Sequence, residues 1–319
     1  MSPAALSWSS QPEGKAWFDG IISDMDRLLI IGGGDVAWRV LPWLRQRFRV
    51  FVLVRQTADA ARWRIGGAVP LRGDLDQPKT LQRLRGLANA LLWTAPPEDS
   101  GPGDRRIRRA FAQIAQGLAL PQRIVYISTS GVYGDCAGAV VTETRSPAPL
   151  SPRGERRLGS ETRLRRIAGR GGCALRILRA PGIYATDRLP LERLQRRDPV
   201  LLPAEDVFTN HIHADDLARA ACLALFRGRA LRTYNICDNT HLPMGDFYDA
   251  LADIFGLPRP PRASRTECAQ RLSPMSLSFM RESRRLDNTR IRRELRWEPR
   301  HANVRDGLRA ARRDLPRQG

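Results

Sequence analysis

The sequence predicts an α/β fold: a doubly wound parallel sheet with a smaller lobe towards the C-terminus. Three observations carry that expectation. From Arg27 onward, short apolar runs of strand length alternate with longer segments of helical spacing, the pattern of a parallel sheet covered on both faces. The first apolar run ends directly in Gly32-Gly33-Gly34, which opens the first helical segment. The last third of the 319 residues loses this alternation and breaks into shorter, irregular elements.

Taken in order, RLLIIGGG from Arg27 is a buried strand running into glycines, and VAWRVLPWLRQR has helical spacing. RVFVLVR is a second strand, VPLRGDL a weaker third and ANALLWTAPP a fourth. The helical stretch DRRIRRAFAQIAQGL leads to RIVYISTSGVYG, the clearest strand of the chain. A loop rich in Pro, Ser and Thr (TETRSPAPLSP) precedes a helix over about Glu155 to Ala168, and ALRILRAPGIY follows. Beyond it lie LPLERLQRR, HADDLARAACLALF, TYNIC and MGDFYDALADIFGLP, then a proline-rich turn and an arginine-rich tail. These suit a smaller lobe set against the carboxyl ends of the sheet, where ligands of open α/β folds bind.

Composition narrows the function classes. The apolar fraction is 42%, with no run of eighteen apolar residues, so no membrane span is expected. The first residues, MSPAALSWSSQPEGKAWFDG, lack a basic start followed by an apolar stretch and read as a polar extension rather than a secretory signal. The five cysteines are scattered without a C-x-x-C pair, which disfavours a zinc site or a disulfide framework and fits a cytoplasmic protein. The formal charge of +20 is almost all arginine, the only lysines being Lys15 and Lys79. Because those arginines are spread along the whole chain, they read as compositional bias rather than a nucleic-acid stripe, and they are compatible with anionic small molecules.

Gly32, Gly34 and Ala37 form G-x-G-x-x-A between a strand and a helix. The first glycine permits the tight turn, the second lets backbone approach a pyrophosphate, and the small third residue lets helix and strand pack. With Asp35 and Val36, the helix start offers free N–H groups and a partial positive charge to phosphates. This is a dinucleotide signal. At the end of the second strand, where an acidic residue would hold the ribose of NAD, the chain has Arg55, which suits a 2′-phosphate and favours NADP, with NAD as the alternative. Asp74 is expected near the adenine, and Thr94, Ala95 and Pro96 on the nicotinamide side.

The stretches IIGGGDVA, RGDL, YISTSGVYGD, ALRILRAPGIY and NHIHADDLARA, in that order between about Arg27 and Arg300, resemble the extended short-chain dehydrogenase/reductase family, the NAD-dependent epimerase/dehydratase group. The resemblance implies a Rossmann-type dinucleotide domain over 27–180, after a polar extension at 1–26. Residues 181–319 are then mainly a substrate lobe, with 207–237 returning to the first domain. It further implies tightly held NAD(P), a small-molecule substrate of nucleotide-sugar type, and a homodimer pairing through two helices of the dinucleotide domain.

By the same resemblance Thr129, flanked by Ser128 and Ser130, would orient the reacting oxygen. The family's Tyr-x-x-x-Lys pair falls on Arg153 and Arg157, and its following glutamate on Glu161. Arg157 can replace a lysine as a fixed cation towards ribose, with different geometry. Arg153 cannot replace a tyrosine, because a guanidinium stays protonated and neither takes nor gives a proton. Read without any ligand, the two arginines are an exposed helix face with an Arg157–Glu161 pair. Tyr133, Tyr184, Arg188 and His211 are expected around the substrate. His213 is expected to start a helix, and the paired histidines lack a third metal ligand. Arg281, Arg284 and Arg285 could close over an acidic ligand or form a solvated basic helix. The expected function is therefore an atypical NAD(P)-dependent oxidoreductase, epimerase or dehydratase. The alternative is a non-catalytic NADP(H)-binding sensor or scaffold, and an RNA-binding relative comes last.

Overall fold

The computed structural model describes residues 26–315 apart from 102, 118 and 119, so the expected N-terminal extension lies almost wholly outside the described residues. Seven strands form the central sheet: β1 (Arg27–Ile31), β2 (Arg49–Val54), β3 (Val69–Arg72), β4 (Ala90–Trp93), β5 (Arg123–Thr129), β6 (Ala174–Ala180) and β7 (Arg232–Asn235). Their order is β7-β6-β5-β4-β1-β2-β3, and every pairing is parallel. The predicted doubly wound sheet is present. The chain reverses direction across the sheet between β1 and β4, where Ile31 faces Trp93 in register. That switch point leaves a crevice at the carboxyl ends of the two strands.

The strands form because their residues are apolar throughout: β1 buries Leu28, Leu29, Ile30 and Ile31, and β4 buries all four of its residues. On one face of the sheet lie α1 (Asp35–Leu44) and α5 (Ala214–Phe226), which share a core with Trp297. Helix α1 buries Val36, Ala37, Val40, Leu41 and Leu44, one stripe at helical spacing. The short helix α2 (Thr57–Ile65) contributes Trp63 to the same core. On the other face α3 (Arg105–Ile114) and α4 (Pro152–Gly171) cover a second core that includes Trp93, Phe111 and Tyr126. Asp104 and Ser151 cap these two helices, and Gly172 ends α4 in the left-handed conformation.

A third core gathers the C-terminal elements around α6 (Met244–Phe255) and α8 (Val304–Arg313), and includes Leu194, Val200 and Tyr184. A short helix, α7 (Pro274–Phe279), stands beside it with none of its side chains buried and Phe279 half exposed. Among the described residues, no helix is long and apolar enough to cross a membrane.

Candidate functional site

The crevice at the switch point is a cleft of about 460 Å³ lined by Gly32, Gly33, Gly34, Arg55, Asp59, Trp63, Asp74, Ala95, Pro96 and Arg106, among others. Gly32 adopts φ +105°, and a Cβ there would stand 2.4 Å from the Ala95 nitrogen and 2.5 Å from Thr94 Oγ1. Only glycine fits this turn. The contact is close because Thr94 and Ala95 both donate their N–H groups to the Ile31 carbonyl, drawing the exit of β4 onto the exit of β1. Gly34 differs: nothing lies within 4 Å of the Cβ it lacks. It caps α1 with no side-chain hydrogen bond, so the first N–H groups of that helix face open space. Gly33 lies against the indole of Trp63, 3.1 Å from its Nε1 to the missing Cβ. These features fit a pyrophosphate cradled by backbone.

The other expected cofactor residues divide. Val36 and Asp35 begin α1, yet the Asp35 carboxylate is taken: Arg39 holds it at 2.7 Å and Arg188 at 3.3 Å. Arg39 also reaches Asp187 and Asp215 at 2.9 and 2.8 Å, so the network binds α1 to the chain after β6 and to α5. The Asp35 carboxylate is thus a structural anchor, which leaves its backbone N–H at the helix start as its only free donor, and Arg188, expected beside the substrate, sits at this anchor. Thr94 lines the nicotinamide side less than expected, because its hydroxyl turns back to the Gly32 carbonyl and braces the turn. Ala95 and Pro96 do line the cleft. Arg55 is exposed at its rim, next to Gln56 and the start of α2. Asp74 lines the cleft while one of its carboxylate oxygens accepts the Asp76 N–H of its own turn.

Sequence reasoning missed a second set of cleft residues. Arg106 grips Asp76 through two nitrogens at 3.0 and 2.6 Å and donates to the carbonyls of Pro96 and Pro97. Arg109 bridges Asp76 and Glu98, and Arg105 holds Glu98 at 2.7 Å. Hydrogen bonding from Arg106 lowers the Asp76 pKa; burial pushes Glu98 upward, but Arg105 and Arg109 outweigh it and leave it below the usual carboxylate value. This ionic strap ties the loops after β3 and β4 to α3. The arginine doublets of RRIRR gave no sign of which members would face the cleft.

At the carboxyl end of β5, Thr129 Oγ1 accepts the Gly131 N–H at 3.2 Å, which leaves its own proton free to be donated. Ser130 is buried immediately beyond it. Gly154 seats the start of α4 on this turn, since a Cβ there would lie 2.8 Å from the Gly131 carbonyl oxygen. Arg157 points to the strand ends: its Nη1 donates to the Tyr126 hydroxyl and the Ile127 carbonyl at 3.0 Å each, and to the Ala95 carbonyl at 3.5 Å. Arg153, one turn earlier, lies at the mouth with its guanidinium 5.5 Å from the centre of the Phe279 ring.

The expected Arg157–Glu161 pair does not form. Glu161 is fully buried and accepts two bonds from Arg179 (3.1 and 2.7 Å) and one from Ser128 (2.6 Å). Both partners project from strands beneath the helix, so burial of the face selects a strand arginine over the neighbouring helical one. Ser128 is spent in this contact. Tyr133 is likewise internal: its hydroxyl donates to Asn235 Oδ1 at 2.8 Å and Arg179 lies over its ring. It joins a small core with Val132, Val141 and Leu286 instead of meeting a substrate.

Tyr184 and His211 are also in the interior. Tyr184 packs against α8, where a side chain on Gly307 would collide with its hydroxyl. His211 stacks on Phe247 at 4.0 Å, and burial pulls its pKa down to about 3, so the ring is neutral at ordinary pH. His213 does start α5, its Nδ1 accepting the Asp215 N–H at 3.3 Å, and it stacks on His301. In the tail, Arg284 donates to the Gly134 carbonyl and pairs with Glu282 at 2.7 Å; Arg285 donates to the Gly138 carbonyl. Those two brace the loop after β5, while Arg281 is exposed.

Comparison with known proteins agrees with this geometry. Residues 112–237 match the model of the NAD dependent epimerase/dehydratase family. Over 175 residues the chain is 29% identical to Protein YeeZ of Escherichia coli strain K12, a stretch that covers 54% of this chain and 61% of YeeZ. A conserved protein of unknown function from Silicibacter pomeroyi superimposes with a TM-score of 0.76 at 28% identity, covering 91% of this chain and 99% of that one. UDP-glucose 4-epimerase of Thermotoga maritima, solved with UDP-glucose, superimposes with a TM-score of 0.71 at 20% identity, over 89% of this chain and 97% of that one, and shares the fold.

Proposed function

We propose that the chain binds a nicotinamide dinucleotide at the Gly32–Gly34 turn and acts as an atypical oxidoreductase, epimerase or dehydratase on a polar small molecule of nucleotide-sugar type. One observation carries the reading: the open cradle at Gly34, with an uncapped helix N-terminus behind it and a cleft of about 460 Å³ beside it. The UDP-glucose bound to the Thermotoga relative supports the substrate class. NADP is the preferred form, because Arg55 at the rim can hold a 2′-phosphate, although Asp59 lines the same rim and opposes it. The same proposal assigns residues 27–180 and 207–237 to cofactor binding and the rest of 181–319 mainly to substrate, after a polar extension at 1–26, in a cytoplasmic homodimer.

The bound nicotinamide would supply or accept hydride. The chain's part is to orient the reacting groups. Thr129 donates its free hydroxyl proton to the reacting oxygen, and Arg157, anchored by three neutral oxygens, presents a fixed positive charge beside it. Neither Arg153 nor Arg157 carries a proton in and out, so the proton route runs through water or through the substrate itself.

The test is a titration with NADPH and NADH, read by quenching of Trp63, whose indole lines the cleft. Turnover on a panel of carbonyl substrates follows, with Thr129→Ala as the control. Quenching by NADPH with turnover that disappears in the variant supports the proposal; no response to either nucleotide at millimolar concentration overturns it. A second reading, a non-catalytic NADP(H) sensor, is favoured by one fact. Among the expected site residues, those that meet the cleft are not proton carriers near neutrality, and His211 is packed away on Phe247. Tight binding without turnover on any substrate selects it.

A further inference from the structure

We propose that Arg153 and Arg157 form a two-pronged receptor for the acid group of a small anionic substrate, a carboxylate or a phosphate ester, with Phe279 as its wall. This deepens the reading above and rests on the adjoining cleft holding the dinucleotide.

Several guanidinia around the cleft and beneath α4 are matched by carboxylates, while Arg55 at the rim is exposed and has no ion pair among the described residues. Arg39 has Asp35, Asp187 and Asp215; Arg105, Arg106 and Arg109 share Asp76 and Glu98; Arg179 has Glu161; Arg284 has Glu282. Arg153 and Arg157 form no ion pair among the described residues. They stand one helical turn apart on the same face of α4, so their like charges are neighbours. Every acceptor of Arg157 is a neutral oxygen, and all three bind the same nitrogen, Nη1. Its remaining N–H groups have no partner among the described residues. Arg153 makes no hydrogen bond there at all; its one specific contact is the Phe279 ring. Packing around Arg153 and the neighbouring charge of Arg157 push its pKa down while Glu282 acts the other way, and the side chain remains exposed to an incoming anion. Glu282 is the nearest counter-charge and is already held by Arg284 at 2.7 Å.

The position gives the deficit a purpose. Gly154 seats the start of α4 on the turn that follows Thr129, and Arg157 reaches the carbonyls at the ends of β4 and β5, so both arginines stand on the helix that abuts the turn carrying the free hydroxyl of Thr129. An anion seated between them would relieve their repulsion, accept the planar two-nitrogen donation that guanidinium offers, and hold the rest of its molecule against Thr129. A neutral sugar or an apolar aldehyde would leave the repulsion in place.

The test uses the full chain with and without saturating NADPH. Sodium acetate and inorganic phosphate are titrated against sodium chloride at matched ionic strength, read by thermal shift. At least one of the two should stabilise the protein well beyond chloride. Preference for acetate marks a carboxylate substrate and preference for phosphate a phosphate ester. Arg153→Gln should weaken that effect about tenfold, the scale of a lost charge-assisted pair of bonds, with NADPH quenching unchanged. Arg166→Gln, an exposed arginine on the same helix, should leave it intact. Equal loss in both variants, or no preference over chloride, overturns the receptor. Absence of NADPH quenching would sink the cofactor reading alone, because the anion titration without nucleotide still reads Arg153.

Discussion

In the proposed function the polypeptide backbone would perform the recognition at the Gly32–Gly34 turn, whereas at Arg153 and Arg157 side chains set against β4, β5 and a short C-terminal helix would perform it. The first region consists of contiguous residues whose shape follows from missing Cβ atoms. The second exists only after folding, where α4, the strand ends and Phe279 meet. The contrast teaches which part of a site tolerates change. A backbone cradle fails by steric intrusion, and a side-chain site fails by loss of charge or of the packing that aims it.

The largest expected effect tests the packing that aims α4. Removing one member of the buried pair, as in Arg179→Ala, leaves the Glu161 carboxylate without its partner in the interior and should cost about 3–5 kcal/mol in urea unfolding. Replacing both, Glu161→Leu with Arg179→Met, should recover much of that loss, because the desolvation cost goes with the charges. If Arg179→Ala unfolds at the wild-type midpoint, the buried pair does not hold α4 and the substrate-side geometry loses its foundation.

Next, two glycines of one turn separate folding from binding. Gly32→Ala places a methyl into the Ala95 backbone at a left-handed φ and should destabilise by about 2 kcal/mol or more. Gly34→Ala enters open space and should cost only about 1 kcal/mol, the preference for glycine over alanine at an N-cap, with no clash added to it. Its new methyl occupies the pyrophosphate position, so NADPH affinity should fall tenfold or more. Equal affinity in Gly34→Ala and wild type would show that the phosphates lie elsewhere.

The same contrast explains what could be read from the sequence. The glycine turn, the strand before it and Arg55 after β2 were legible because each depends on neighbours a few residues away. The sheet was legible because burial on both faces forces apolar runs. Glu161 was not. Its spacing to Arg157 on the helix suggested a local pair, and only the arrival of β5 and β6 beneath α4 decides for Arg179 and Ser128. The family resemblance put Tyr184 and His211 around the substrate, yet α6 and α8 enclose them. In so arginine-rich a chain, nothing local distinguishes Arg106, which straps the cleft, from Arg108, which is exposed.

A smaller effect sharpens the cofactor side. Arg55→Ala should weaken NADPH about tenfold, one charge-assisted contact to a 2′-phosphate, and leave NADH within about twofold. Asp59→Asn should move the balance the other way, towards NADPH, by removing a carboxylate from the same rim. Parallel losses for both nucleotides in Arg55→Ala would make that arginine a general surface charge and restore NAD as the equal candidate.

The effect smallest at any one step is a slope, read per pH unit and accumulated over the whole titration. Burial pushes Asp238 up to about 8 and pulls His211 down to about 3. For Asp238 the folded pKa lies above the unfolded value near 3.9, so its contribution is intact below about pH 4 and is lost as pH rises to about 8. For His211 the folded pKa lies below the unfolded value near 6.5, so its contribution is intact above about pH 6.5 and is lost as pH falls towards 3. Each alone gives at most about 1.4 kcal/mol per pH unit, and the two oppose each other between about pH 4 and 6.5. Relative to wild type, Asp238→Asn, which keeps an oxygen for the Thr240 N–H, should therefore gain stability steadily from about pH 4 to 8. His211→Phe, which keeps the stack on Phe247, should gain only below about pH 6.5. Difference curves that are flat across both windows would mean that these groups are hydrated in the folded protein and that the junction between sheet and lobe is open, contrary to the close packing of Tyr184 against Gly307.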